Sequence, residues 1–150
     1  MAHVTQVIVT IRTGDAAGAD ADGPVYLGLG PREFRLNKAG NQFERNKTDT
    51  FVLGNTGPPG GAANISNAGV NDPLNPLIIE GADLLDSPYN VYIRLESDEK
   101  WLVSDVTVEA IGQVGVSIPP FHHTFRVKFG IASPGIWLGK DSGKFLYLQV

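Results

Sequence analysis

Between Thr13 and Tyr26 the chain carries three carboxylates, Asp15, Asp20 and Asp22, separated only by glycine and alanine. Oxygen donors on a flexible, small-residue backbone are what a hard cation such as calcium requires. The spacing is not that of an EF-hand loop. Asp and Gly also build ordinary solvated turns, so spacing alone leaves both readings open.

The remaining reactive residue types are less suggestive. His122 and His123 are adjacent, and neighbours on a strand point to opposite faces, so they cannot chelate one ion together or act as a pair. His123 falls on the apolar side of its segment and reads as a core histidine, His122 as a solvated one. Ser66, Ser87, Ser97, Ser104, Ser117, Ser133 and Ser142 lie in no nucleophile-elbow context. With no cysteine in 150 residues, disulfides, thiolate metal sites and cysteine nucleophiles are excluded. The sequence contains no catalytic constellation, and the expectation is a protein that is not an enzyme.

Elements able to position the aspartates are strands. Val7, Ile8, Val9 and Ile11 form a β-branched first strand whose odd positions are apolar, with Gln6, Thr10 and Arg12 on the wetter face. Val25 to Leu29 and Arg32 to Leu36 read as a hairpin turning at Gly30-Pro31. Further strands are predicted over Thr48 to Leu53, Val91 to Leu95, Leu102 to Val108, Phe121 to Ile131 and Lys144 to Gln149. Leu77-Ile78-Ile79 and Asp83-Leu84-Leu85 could form a short strand or a single helical turn. No segment has sustained helical periodicity, and 18 glycines and 10 prolines supply the turns. The fold class is therefore all-β, an antiparallel eight-stranded β-sandwich in one domain over residues 1–150. From about 54 to 76 the chain turns rich in glycine, proline and asparagine, with Asp72 its only charge. This insertion reads either as an unstructured loop or as a partner-binding one.

Thr13-Gly14-Asp15, Val25-Tyr26-Leu27, Phe43-Glu44-Arg45-Asn46-Lys47-Thr48-Asp49-Thr50-Phe51 and Trp101-Leu102-Val103-Ser104-Asp105 together resemble the signature blocks of the PLAT domain. That β-sandwich occurs in lipoxygenases, pancreatic-type lipases and clostridial alpha-toxin. The resemblance covers nearly the whole chain except about residues 54–80. It implies that the loops at 13–24 and 37–42 lie side by side at one end of the sandwich and hold calcium there. By position it implies ligands at Asp20, Asp22, Asn41 and Gln42, with Asp15 binding metal or fixing its turn and Asn37 a further oxygen. Few of these are charged, so binding would be weak, with a dissociation constant on the order of 10⁻⁵ to 10⁻³ M. The same end would then contact membrane lipid or a partner protein, with Trp101 as the candidate contact ring unless it packs inside. Glu44, Arg45, Lys47 and Asp49 read as ion pairs bracing the strand that starts at Thr48.

Net charge is −4 with no basic run, which sets nucleic-acid binding aside and disfavours unaided attraction to anionic membrane. No apolar run approaches the roughly 20 residues of a membrane span, and no leader is visible. The expectation is a soluble, stand-alone module, cytoplasmic or peripheral at a membrane surface. The competing reading is a structural or assembly protein that uses a sheet face, with calcium at most stabilising it.

Overall fold

The computed structural model describes residues 3–54, 61–75, 77–85, 90–113, 121–127 and 135–150. Among the described residues nine strands form: β1 (His3–Thr13), β2 (Val25–Leu29), β3 (Arg32–Arg35), β4 (Thr48–Leu53), β5 (Val91–Leu95), β6 (Trp101–Gln113), β7 (Phe121–Arg126), β8 (Ile136–Leu138) and β9 (Phe145–Tyr147). One sheet runs β4-β1-β6-β7, with β8 also pairing β6, and the other runs β3-β2-β5-β9. Every pairing is antiparallel. The all-β sandwich expected from the sequence is present, with nine strands where eight were expected. The ninth is β8, three residues long, too short to show a period. Gly81–Leu84 is a single 3₁₀ turn. The alternating pattern after Phe121 is a strand to Arg126, and its continuation through Phe129 and Ile131 lies outside the described residues.

Alternation puts one side chain in two into the space between the sheets. Val7, Val9 and Ile11 of β1 and Val106, Val108 and Ala110 of β6 meet Leu27 of β2, Phe34 of β3 and Val91, Ile93 and Leu95 of β5, all buried. The β2–β3 hairpin turns where predicted, at Gly30, whose φ of +60° is cheap only for glycine.

Two β-bulges shift the phase that a strict period of two would keep. In the β1–β6 ladder Val4 faces Gly112 but Gln6 faces Ile111, so Thr5 is the extra residue. Gln6, expected on the wetter face, is fully buried and donates its amide to the Gly61 carbonyl at 3.0 Å. At the other end Arg12 faces Asp105 and Thr13 faces Val103, leaving Ser104 unpaired. Inward positions of β6 thus change from even (106, 108, 110) to odd (101, 103) across the bulge.

That change decides the position of Trp101. Its ring is fully buried, with the indole N–H donating to the Thr13 hydroxyl at 3.0 Å. Phe43 packs edge-on against it at 5.0 Å between centroids. The expected exposed contact ring is corrected on this point: Trp101 belongs to the core and cannot touch a membrane while the sandwich is folded. Trp101→Phe keeps most of the ring's packing but strands the Thr13 hydroxyl, and should cost about 1–3 kcal/mol. Chemical denaturation should show a lowered midpoint with an unchanged slope.

Candidate functional site

The loops 13–24 and 37–47 are joined by their backbones. Thr13 N–H donates to the Lys47 carbonyl at 3.0 Å, Asn46 N–H to Gly14 at 3.1 Å and Ala21 N–H to Phe43 at 3.1 Å. The strand β6 joins in, with Leu102 N–H donating to Ala19 at 3.1 Å and Gly14 N–H to Leu102 at 2.9 Å. Ala19 and Ala21, the small residues between the aspartates, are buried and act as pegs. Phe43 sits at φ +60°, a strained conformation for an aromatic residue. Its N–H is held by the Asp49 carboxylate at 2.8 Å, and its ring stacks on Phe51 at 5.6 Å.

This arrangement leaves a cavity of about 210 Å³ between the loops, lined among others by Asp22, Asn37, Asn41, Gln42, Glu44 and Arg35. Asp22 and Asn41, separated in sequence and carried on different loops, therefore face one space, as the PLAT resemblance implies. The other expected ligands are engaged elsewhere. Asp15 accepts from the Arg45 guanidinium at 2.8 Å, and Asp20 accepts the Arg45 backbone N–H at 3.0 Å. Neither lines the cavity. Gln42 lines it, but its amide closes its own loop, donating to the Lys38 carbonyl at 2.6 Å and to Gly40, and accepting from Lys38 N–H at 3.4 Å.

Two carboxylates matter here that the sequence did not single out as ligands. Glu99 accepts the Asp22 and Gly23 N–H groups at 2.5 Å each, and so fixes the backbone on which the Asp22 side chain stands. Its signal was the Ser97-Asp98-Glu99-Lys100 turn entering β6. Glu44, assigned to a structural ion-pair set, lines the cavity instead, and its carboxyl is held above the ordinary carboxylate range. Desolvation is the largest cause, followed by the charge of Asp20 and a hydrogen bond with it, then the charges of Asp22 and Asp49. Of that ion-pair set, Arg45 pairs with Asp15, and Asp49 braces Phe43 rather than pairing with a cation.

Asp22, Glu44, Asn37 and Asn41 offer only hard oxygen donors beside an acidic cluster whose mutual repulsion a dication would relieve. The donor chemistry thus suits calcium. Among the described residues no three Asp, Glu or His side chains converge as a metal-binding group, and Arg35 at the wall offsets part of the negative charge. Both features weigh against tight binding of a cation there. His122, expected to be solvated, is exposed and meets Glu109 at 3.2 Å.

The outer face of the second sheet is a separate polar and aromatic surface. Arg94 forks onto Glu33, with Nε to Oε2 at 3.0 Å and Nη2 to Oε1 at 2.8 Å, and stacks over Tyr26 at 4.4 Å. The Tyr92 hydroxyl donates to Glu33 at 2.5 Å across Gly28, where a Cβ would stand 2.1 Å from the ring. Burial and then the Glu33 bond push the Tyr92 pKa up to about 12. Phe145 and Tyr147 complete the face, both exposed.

No family model matches the chain, and no curated protein matches it. Among solved structures it is similar to the alpha toxin of Clostridium absonum, at 21% identity over 84% of this chain and 32% of that one, with a TM-score of 0.49. It is also similar to alpha-toxin from an avian strain of Clostridium perfringens, at 17% identity over 84% and 32%, with a TM-score of 0.45. A LOX variant matches at 13% identity over 95% of this chain and 16% of that one, with a TM-score of 0.48. The chain thus spans a third or less of each of these structures.

Because the folded state holds the Glu44 proton more tightly than the unfolded chain does, Glu44 disfavours folding as pH rises through its raised pKa, and stops doing so as pH falls below the ordinary carboxylate range. Glu44→Gln removes this dependence. Thermal melts in chelator from pH 4 to 7 should show the variant gaining on the parent as pH rises.

Proposed function

We propose that this chain is a non-catalytic binding module whose acidic end takes up calcium weakly and, with the ion in place, contacts membrane lipid or a partner protein. The observation that carries the reading is the convergence of Asp22, Glu44, Asn37 and Asn41 on one cavity between two loops zippered by backbone hydrogen bonds. The resemblance of the loop sequences to PLAT signatures supports it. Asp22 and Glu44 would supply the charged ligands and Asn37 and Asn41 neutral ones, while Glu99 and Asp20 hold the loop backbones in place. Calcium supplies positive charge at a pole that otherwise repels acidic surfaces, and a bound cation can be the largest local charge.

A second reading has its own observation. Tyr26, Tyr92, Phe145, Tyr147, Arg94 and Glu33 give the outer sheet face the aromatic and arginine content of a protein interface. In that case the chain is an assembly protein and calcium at most stabilises one end.

Melting in 10 mM calcium against chelator tests the first reading. For a dissociation constant of about 10⁻⁴ M the ion stands at about 100 times that value and adds about 2.7 kcal/mol. The midpoint should rise by roughly 5–10 °C for a domain of this size. Asp22→Asn should abolish most of the rise. A midpoint unmoved by calcium would remove the metal from the reading, and a calcium shift without vesicle sedimentation would favour the protein partner.

A further inference from the structure

The insertion after β4 has no regular secondary structure between 61 and 75, yet it is built around one side chain. Arg32, at the start of β3, donates Nη1 to the carbonyls of Asp72 at 2.5 Å and Leu77 at 2.7 Å, and Nη2 to those of Val70 and Asn75 at 3.1 Å each. Its guanidinium lies over the Phe34 ring at 4.4 Å. Asn71 adds a second clamp, accepting Arg35 N–H at 3.3 Å and donating to the carbonyls of Ser66 and Asn67. Ile65 and Ile79 are buried in the core on either side.

The clamp turns neighbouring side chains outward. One guanidinium gathers the backbone at Val70, Asp72, Asn75 and Leu77, and along this gathered stretch Val70, Leu74, Leu77 and Ile78 are 64%, 37%, 53% and 43% exposed. Of eight large hydrophobic residues exposed among the described residues, five lie between Val70 and Leu85. The cluster is purely aliphatic, and the nearby Asp72 carboxylate accepts the Leu74 N–H at 2.9 Å. Arg32 spends both Nη groups on these backbone carbonyls.

We propose that this Arg32-clamped cluster is a second contact surface that enters the interface of a zwitterionic lipid bilayer without calcium. Three features select that occupant. The cluster exposes roughly a few hundred Å², below the approximately 800 Å² per partner that a stable dimer buries. It lacks the aromatic and arginine anchors of a protein hot spot, whereas acyl chains demand no shape complementarity. The chain carries a net −4, so an anionic surface is repelled and a zwitterionic one is not. Arg32 stands at the turn end of β3 and the calcium candidate Asn37 beyond its other end, so the two contacts are separate and can fail separately.

The test is sedimentation of the full chain with phosphatidylcholine vesicles in chelator. Partition is expected without calcium, and Leu77→Asp with Ile78→Asp should lower it at least tenfold. Both changed positions are exposed, and an unaltered melting midpoint would verify the fold. As a second readout, Leu77→Trp should bind more tightly, and its added emission should shift to the blue on vesicles. No partition in chelator, equal partition of the double variant, or an unshifted Leu77→Trp emission would overturn the proposal. So would light scattering that shows a dimer broken by the double variant, since a second copy would then be the occupant. Loss of calcium-dependent binding alone bears on the preceding reading and leaves this surface intact.

Discussion

The contact between Phe43 and Trp101 is the constraint on which this end of the molecule depends. A non-glycine residue at φ +60° is costly, and it persists only where its surroundings over-determine it. Here Asp49 holds its N–H, Phe51 and Trp101 hold its ring, and Ala21 takes its carbonyl. The strain is thereby matched by four favourable contacts from three parts of the chain: β4, the start of β6 and the acidic loop. Because Trp101 reaches Thr13 as well, the first residue of the acidic loop and the turn of the second loop are referred to the same buried indole. A cavity between two irregular loops is thus positioned by the rigid core beneath it.

Much of this fold could be read from residue patterns. Alternation located β1, β2, β4 and β5 to within a residue or two, and Gly30-Pro31 fixed the hairpin. The misses come from bulges and from brevity. A bulge adds one residue without changing the hydrophobic character of its neighbours, so no pattern in the sequence betrays it, yet it reverses which side chains point inward. Trp101 turns inward for that reason, whereas Gln6 keeps the face opposite Val7 and is buried against the insertion, its amide on the Gly61 carbonyl. The three residues of β8 gave no period to detect.

At the candidate site, the loops could be identified and their neighbourhood inferred, but the individual contacts could not. Three aspartates look equivalent in sequence. Arg45 makes them unequal, engaging Asp15 with its guanidinium and Asp20 with its backbone while Asp22 stays at the cavity. Glu44 changes role for a geometric reason too, since the turn that sets Phe43 inward leaves its neighbour facing the space between the loops. Glu99 lies 77 residues from the N–H of Asp22 it binds, a distance that local spacing does not cover.

The clamp at Arg32 has an evolutionary corollary. A guanidinium that grips carbonyl oxygens is indifferent to which residues carry them, because every residue type carries the same acceptor. The side chains of Val70 and Leu77 are therefore released from any duty in holding the segment together, a duty that Asn71, Asp72 and Asn75 still share with the arginine. Those exposed positions can be rewritten while the path stays put, so one sandwich can present different chemistries at this edge. The arginine itself has no such latitude, since lysine's three donors on one nitrogen cannot span the same four oxygens.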